Sequence, residues 1–217
     1  MRRVRIVQDH DVTPGPSRDG ADPERLRRFW FGDAAIDDAA AARRVATWFE
    51  ASDAFDSACA SRFSDWPDRA RRGDFAAWAA TPSGALALVL ALDQLPRNLF
   101  RGTAHAFAYD DAAIETASAA VERGFDRALA PIEASFLYLP FEHAESVALQ
   151  ERSVALFEAL QGRAPATLTD AFASFAGYAR RHRDVIVRFG RFPHRNAALG
   201  RTSTTDEDAW LAEGSGF

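Results

Sequence analysis

The sequence has a single cysteine and no lysine, and it contains no apolar run long enough to span a membrane. With only Cys59 available, no disulfide can form within the chain, which fits a reducing compartment, and we expect a cytoplasmic protein. All 26 basic residues are Arg, and 31 acidic residues leave a net charge of -5. This acidic balance argues against a nucleic-acid or membrane-surface protein, because both usually need excess positive charge.

The common catalytic and nucleotide-binding fingerprints are also missing. The sequence has no GxSxG, P-loop, GxGxxG or CxxC motif. In FEHAE, His143 and Glu145 are two residues apart, which is poor spacing for metal ligands compared with four residues on a helix. The mixture RFGRFPHRN resembles a stacking surface for single strands, but it is short and the net charge opposes that interpretation. We therefore predict no metal, no cofactor, no nucleic acid and no membrane partner.

What is present is a central apolar helix, which we call the hub helix. Every side chain from Ala85 to Leu92 is apolar, and all but one are Ala or Leu, which favour helices. Thr81 is predicted to be its N-cap, followed by Pro82 in the first turn, and Pro96 is expected to push Leu95 out of the α region. A helix that is apolar on every side has to be covered by other helices.

The remaining chain predicts one all-helical domain, residues 22–217, preceded by a disordered tail, residues 1–21, that has no apolar periodicity. Helix starts are predicted from caps and first-turn prolines, and stops from glycines. The predicted starts are Asp22, Ser52, Asp110, Pro131, Pro140, Thr169 and the capping box of Thr204 and Glu207, and the predicted stops include Gly124 and Gly190.

The candidate ligand-binding residues come from three parts of the chain. Asp93, Arg97, Asn98 and Arg101 follow the hub helix. Two polar residues, His143 and Gln150, fall on the apolar face of the helix predicted to begin at Pro140, and Arg183 falls on the apolar stripe of the last long helix. Around the end of that helix are Arg188, Arg191, His194, Arg195 and Asn196.

Three strings carry a resemblance to a known family: LALVLALDQLPRNLFRGTAHAFAYD, FLYLPFEHAESVALQERSVALFEAL and RHRDVIVRFGRFPHRNAALGRTST. They resemble the bacterial DUF924 family, a domain of unknown function, over residues 22–211. His143 and Glu145 match its pattern, whereas Ala144 stands where the family often has Ser. The resemblance implies an antiparallel helical array, similar to a tetratricopeptide-type superhelix, and it supplies no reaction.

Two functions stay open. Guanidinium groups, amide donors and a helical turn at Pro193 are typical of sites for a carboxylate or phosphate, so the first hypothesis is a small anionic ligand. If there is a reaction, His143 or His194 is the candidate acid or base. The alternative is a tetratricopeptide-like scaffold that binds a peptide or protein partner, with the Arg, His and Glu residues in structural salt bridges.

Overall fold

The computed structural model describes residues 20–35, 37–49 and 52–214, and within these ranges it contains helices and no strand. The all-helical prediction is therefore confirmed. The α-helices are α1 (Pro23–Phe31), α2 (Asp38–Phe49), α3 (Asp53–Phe63), α4 (Trp66–Arg71), α5 (Pro82–Val89), α6 (Leu95–Leu99), α7 (Asp110–Glu122), α8 (Phe125–Ala128), α9 (Pro131–Glu142), α10 (Val147–Gln161), α11 (Thr169–Phe189) and α12 (Thr205–Ala212).

Short helical turns of other types lie between them. A π-helical segment, Leu90–Gln94, joins α5 to α6 without a break. The 3-10 turns are Gly32–Ala35, Ala76–Ala80, Ala104–Phe107, Ala166–Leu168 and Pro193–Arg195.

The hub helix is confirmed as the centre of the core. All residues from Ala85 to Leu92 are buried, and α5 packs against α1, α7, α9 and the 3-10 turn Ala76–Ala80. The Thr81 hydroxyl accepts a hydrogen bond from the Gly84 N–H at 3.1 Å, as an N-cap does. Gly84 lies so close to that 3-10 turn that an added Cβ would be 2.2 Å from the Trp78 carbonyl oxygen.

The predicted effect of Pro96 is wrong. Leu95 is helical, with φ -57° and ψ -46°, and Pro96 lies in the first turn of α6. The π-helical segment widens the backbone ladder before the proline, so that the Leu95 N–H donates to the Leu90 carbonyl five residues back. The chain therefore passes Pro96 without a break in helical structure, and the hydrogen-bond pattern changes before the proline.

Pro140 also does not start a helix, contrary to the prediction. It lies inside α9, which ends at Glu142, and α10 begins at Val147 after its N-cap Ser146. Residues 143–146 are therefore the connection between two helices, and His143 is the C-cap of α9. Gln150, Val154 and Phe157 on one face of α10 are buried, whereas Val147, the first residue of the helix, is exposed.

Most predicted caps are confirmed. Asp22 and Ser52 accept N-cap hydrogen bonds, and Gly190 has φ 71° and ends α11. Thr204 and Glu207 form the predicted capping box of α12. Asp110 is the exception, because Tyr109 is the N-cap of α7 and the Asp110 carboxylate binds two Arg side chains instead.

The described core has a main cluster around α5 and α9 and a smaller one around Ile186, Phe192 and Trp210. Cys59 is buried in the main cluster, and burial raises the pKa of its thiol to about 12, as expected for an unreactive core residue. Among the described residues, no helix has the length and apolarity to cross a membrane.

The predicted tail falls, up to residue 19, outside the described residues, and Ala21 is buried. That residues 22–217 form one domain, and that the helices form a tetratricopeptide-like superhelix, stay predictions.

Candidate functional site

A cavity of about 570 Å³ opens between α2, α9, α10, α11 and the segment from Gln94 to Arg101. Its apolar lining comprises Val45, Trp48, Leu139, Phe157, Ala171 and Phe175. Its polar lining comprises Gln94, Arg97, Asn98, Arg101, Ser135, Glu142, His143, Ser174, Tyr178 and His182. The volume lies in the range of small-molecule sites, roughly 300 to 1,000 Å³.

Four of the residues predicted from the sequence line this cavity: Arg97, Asn98, Arg101 and His143. Asp93 and Arg195 contact His143 without being part of the lining. The structure thus brings together residues from the segment after the hub helix, the α9–α10 connection and the segment after α11. The predicted residues that do not line the cavity or contact His143 are Gln150, Arg183, Arg188, Arg191, His194 and Asn196.

Asp93 is fully buried in the π-helical segment, a type of irregularity that is frequent at functional sites. Its Oδ1 lies 2.8 Å from His143 Nδ1 and 3.2 Å from Arg97 Nη1, and its Oδ2 accepts a hydrogen bond from Gln94 Nε2. Burial acts to raise the pKa of Asp93, but the charge of Arg97 and the His143 and Gln94 hydrogen bonds outweigh it and hold the pKa well below its usual range. Asp93 is therefore a buried carboxylate.

The protonation of His143 follows from that partner. Burial and the neighbouring Arg97 lower the pKa of His143, so the ring is neutral at pH 7. Because an ionised carboxylate can only accept hydrogen bonds, Nδ1 carries the proton and donates a hydrogen bond to Asp93. Nε2 then has a free lone pair, and no described residue is within hydrogen-bonding distance of it.

Behind this pair, Asp110 links two arginines. Arg97 binds Asp110 in a bidentate manner, with Nη1–Oδ1 2.8 Å and Nη2–Oδ2 3.1 Å. Arg195 donates to Asp110 Oδ2 at 3.3 Å and to the His143 carbonyl oxygen at 3.0 Å. Burial, and then the charge of Arg97, lower the pKa of Arg195 to about 10, so it stays protonated at neutral pH. The guanidinium lies against the ring of Phe192, 4.5 Å from its centre.

Arg101 and Asn98 form the more open part of the lining. Arg101 donates through Nε and Nη2 to the two carboxylate oxygens of Asp56, and its side chain is half exposed. Asn98 Nδ2 donates to the Gln94 carbonyl oxygen, which turns its Oδ1 toward Arg101 at 3.5 Å. Arg101 Nη1 has no partner among the described residues.

Glu142 and His182 are cavity residues that the sequence interpretation did not single out. Burial, and then the charge of Asp93, raise the pKa of Glu142 to about 8. Burial lowers the pKa of His182 to about 3, and its Nδ1 lies 3.0 Å from the Tyr178 carbonyl oxygen and 3.5 Å from Glu142 Oε1. Both groups are therefore uncharged at neutral pH. The sequence signal that was available is a lone glutamate at the end of the apolar string FLYLPFE.

Gln150 is buried and has a structural role. Its Nε2 lies 2.6 Å from the Glu142 carbonyl oxygen and 2.8 Å from that of Ala144, so it binds the C-terminal end of α9 and the connection that follows. These carbonyls have no partners within α9 because the helix ends there. Gln150 thus helps to hold His143 in place from a position outside the cavity.

The prediction that Arg183 lies in the apolar interior is wrong. Its Nε and Nη2 donate to Asp184 at the surface, whereas the neighbouring His182 is the buried residue. The predicted apolar stripe of α11 is buried, and at its edge His182 rather than Arg183 faces the interior. The charge of Arg183 therefore does not require an internal partner.

The remaining predicted residues around the end of α11 have partners of their own. Arg188 lies over the ring of Phe189, and His194 lies against Phe192. Arg191 binds both carboxylate oxygens of Glu207, at 2.6 and 2.8 Å. Asn196 donates to Ser203 and Glu207. Together these contacts fold the segment after α11 onto α12.

The connection containing His143 is fastened to that segment by Glu145. Its carboxylate accepts from the Phe192 N–H at 2.8 Å and from Arg201 at 2.7 and 3.0 Å. Burial acts to raise the pKa of Glu145, but the hydrogen bonds from Arg201 and the Phe192 N–H outweigh it and lower the pKa. Among the described residues, no group of three or more His, Cys, Asp or Glu side chains is placed to hold a metal ion.

Comparisons with known proteins agree with this architecture. A solved structure of a protein of unknown function from Agrobacterium tumefaciens is similar, with 38% sequence identity and a TM-score of 0.74, over 88% of this chain and 97% of that chain. A search of curated proteins found no match. The family model described as "Bacterial protein of unknown function (DUF924)" matches residues 26–215. Because that match spans most of the sequence, the chain belongs to the DUF924 family.

Proposed function

We propose that this protein binds a small molecule with a carboxylate or phosphate group in the cavity beside His143. The observation that carries the proposal is that Arg97, Asn98 and Arg101, three neighbours in sequence, line one side of a cavity of about 570 Å³. Guanidinium and amide groups are the side chains that most often bind such anions.

The charge of the lining supports an anionic ligand. Arg97 and Arg101 are cationic, and the carboxyl group among the described lining residues belongs to Glu142, which is uncharged at neutral pH because its pKa is raised to about 8. The carboxylates that pair with the two arginines, Asp56, Asp93 and Asp110, are not part of the lining. The ionised groups of the described lining itself are therefore the two arginines.

The apolar part of the lining indicates the rest of the ligand. Trp48, Leu139, Phe157 and Phe175 present apolar side chains to the same space. Burial of apolar surface is the main source of affinity for small molecules, and polar groups chiefly set their orientation. We infer a ligand with an aromatic or aliphatic body and one anionic group.

The second candidate function is a helical scaffold for a peptide or protein partner. In its favour, the arginines after α11 are in ion pairs: Arg191 with Glu207, Arg195 with Asp110 and Arg201 with Glu145. These pairs are structural salt bridges of the kind that this alternative requires. They leave Arg97 and Arg101 as the predicted anion-binding arginines that line the cavity.

The anion hypothesis is tested by thermal unfolding in the presence of phosphate, sulfate, acetate and benzoate, with chloride at equal ionic strength as the control. A ligand that binds only the folded state raises the melting temperature by mass action. We expect the wild type to be stabilised by at least one of these anions and Arg101→Gln to lose that response. The matched control is Arg183→Gln, a surface arginine outside the cavity, which should keep it.

Two results would count against the proposal. A wild type whose melting temperature follows ionic strength alone would leave the scaffold as the better candidate. An equal loss of the anion response in Arg101→Gln and Arg183→Gln would show that the anions act on the general surface charge.

A further inference from the structure

Glu142 and His143 are consecutive residues at the end of α9, and both line the cavity. α9 ends at Glu142, and His143 begins the connection to α10. The backbone carbonyl of each residue therefore has a different hydrogen-bond donor. Gln150 binds the Glu142 carbonyl oxygen, and Arg195 binds the His143 carbonyl oxygen. The position of both groups is therefore fixed by side chains from outside the cavity.

His143 is oriented as a proton acceptor. Asp93 holds Nδ1 at 2.8 Å, which leaves the lone pair of Nε2 without a partner among the described residues. A carboxylate that fixes the tautomer of a histidine in this way also stabilises the imidazolium that forms when Nε2 takes a proton. Asp93 is thus a positioning residue for His143.

Glu142 is the candidate proton donor. The residue is 5% exposed, and its Oε2 is buried with no hydrogen-bond partner among the described residues. A buried carboxyl group without a partner is costly, and more so when it is ionised. An oxygen atom of a bound molecule would give Oε2 the partner that it lacks.

The charged and titratable groups that face the pair explain its protonation. Glu142 faces Asp93 and Arg181, and His182 lies 3.5 Å from its Oε1. Burial dominates, and the pKa of Glu142 is raised to about 8.

His143 faces Asp93, Arg97 and Asp110 from the α5–α7 region, and Arg195 and the neutral His182 and His194 from the C-terminal part. Burial lowers its pKa. Near pH 7 the carboxyl group thus keeps its proton while the imidazole lacks one. Environments that move two pKa values apart in this way identify acid and base partners in enzymes.

We propose that Glu142 and His143 are a general acid and a general base that act on the molecule bound in the cavity. His143 Nε2 accepts a proton from a hydroxyl group or a water molecule, whose electron pair stays on that oxygen. That electron pair forms a bond to a carbonyl carbon of the bound molecule, the π pair of the C=O bond moves to the carbonyl oxygen, and Glu142 Oε2 gives its proton to that oxygen. The pair is restored when the proton on Nε2 is lost to solvent and Glu142 takes one up. The substrate class is an oxygen-containing molecule with an anionic group, so the inference rests on the proposed function.

The other imidazole of the described lining, His182, is a weak base because burial lowers its pKa to about 3. The Ser135 hydroxyl donates to the Ile132 carbonyl within α9, and the Nδ1 of His182 lies at the Tyr178 carbonyl oxygen. His194, the other candidate from the sequence, does not line the cavity.

The base is tested first by nuclear magnetic resonance of nitrogen-labelled imidazoles in the wild type, which needs no substrate and no variant. We expect His143 at pH 7 to have a protonated Nδ1 and an unprotonated Nε2, with a titration midpoint below the ordinary value of 6.5. A proton on Nε2, or a ring that is positively charged at pH 7, would overturn the assignment of the base.

Access to the base is tested with diethyl pyrocarbonate, which acylates unprotonated imidazole and is located on the chain by mass spectrometry. The exposed His194 is the internal reference in the same sample. We expect both histidines to be modified at neutral pH, and Asp93→Asn to slow the modification of His143 several-fold while that of His194 is unchanged. Modification of His194 with His143 inert would overturn the proposal.

The acid is tested through Glu142→Gln, which keeps a neutral side chain with a hydrogen-bond donor. A carboxyl group with a raised pKa destabilises the fold as pH rises from its ordinary value of 4.5 through about 8. We expect the variant to melt at a higher temperature than the wild type at pH 8, with a smaller difference at pH 5. If the melting temperature of Glu142→Gln relative to wild type is lower at pH 8 than at pH 5, Glu142 is ionised in the folded protein. That result would overturn its assignment as the general acid.

The two proposals can fail separately. Stabilisation by anions together with an inert or protonated Nε2 would leave a binding protein without the acid–base pair. A reactive His143 in a protein that ignores every anion would leave the pair and remove the anionic ligand.

Discussion

Arg183 and Arg195 lie twelve residues apart, yet their charges are met in different ways. Arg183 is paired with its neighbour Asp184 at the surface, where water already solvates both groups. Arg195 is buried and pairs with Asp110 and the His143 carbonyl oxygen. Surface ion pairs contribute little to stability, whereas a buried partner that is removed leaves polar groups without hydrogen bonds.

We expect Arg183→Met to change the free energy of unfolding by less than about 0.5 kcal/mol, because its partner Asp184 is exposed and stays hydrated when the guanidinium is removed. Arg195→Met should cost about 1 to 3 kcal/mol, since it leaves the His143 carbonyl without that hydrogen bond. Arg97 remains on Asp110, which limits the loss. Urea denaturation of both variants measures the difference, and a larger effect at Arg183 would contradict the placement of the two side chains.

At the scale of elements, the hub helix both fills the core and positions the site. α5 is buried along its whole apolar run, and the π-helical segment that continues it places Asp93 against His143. The π-helical segment is buried and continues α5, so its backbone has little freedom to move. Asp93 is therefore held at a fixed distance from His143. The site therefore depends on the packing of α5 as well as on its own hydrogen bonds.

Leu88→Ala tests that dependence. Leu88 is buried, and its truncation should leave a cavity and cost about 2 to 5 kcal/mol. The control is Val187→Ala, at a side chain that is 60% exposed, which should cost less than about 0.5 kcal/mol. Chemical denaturation gives both values, and a loss at Leu88 no larger than at Val187 would mean that the hub helix is not central.

At the scale of the whole molecule, carboxylates hold distant segments together. Asp93 lies between the π-helical segment and His143, Glu145 joins the α9–α10 connection to Arg201, and Glu207 joins α12 to Arg191. Each has a lowered pKa, to about 2 for Glu207, because its partners favour the ionised form. Protonation of these groups would release the contacts that close the fold around His143.

We therefore expect the free energy of unfolding to fall as the pH is lowered from 6 to 3. A carboxyl group whose pKa is lower in the folded state stabilises the protein above its unfolded pKa and loses that effect as pH falls. His182, with a pKa that burial lowers to about 3, acts in the same direction because unfolding lets it bind a proton below 6.5. Each unit of pKa difference corresponds to about 1.4 kcal/mol for a buried group and less for an exposed one.

Urea denaturation across this pH range measures the slope. Glu207→Gln should be less stable than the wild type at pH 6, with a smaller loss toward pH 3, since it removes one of the linked protons. Greater stability at pH 3 than at pH 6 would contradict the assigned ionisation states. The opposite contribution of Glu142, whose pKa is raised, makes the observed slope smaller than the sum of the other groups.

Much of the secondary structure was predictable because its signals are local. The apolar run from Ala85 to Leu92 predicted the hub helix, and Gly190 predicted the end of α11. Thr204 and Glu207 predicted the capping box of α12. Prolines were misread where the surrounding helix tolerates them: Pro96 follows a π-helical segment and Pro140 lies inside α9. A proline constrains its neighbours, but tertiary packing decides whether the helix continues past it.

Local patterns were enough to predict a helical fold, with Ala85 to Leu92 at its centre and polar residues after it. Which of those polar residues contact one another depends on how the helices pack. At the edge of an apolar stripe, the neighbouring elements decide which of two adjacent residues is buried: His182 is buried, whereas Arg183 pairs with Asp184 at the surface. Glu142 could not be identified as a neutral buried acid, because the pKa of a carboxyl group depends on burial and charges that only folding brings around it.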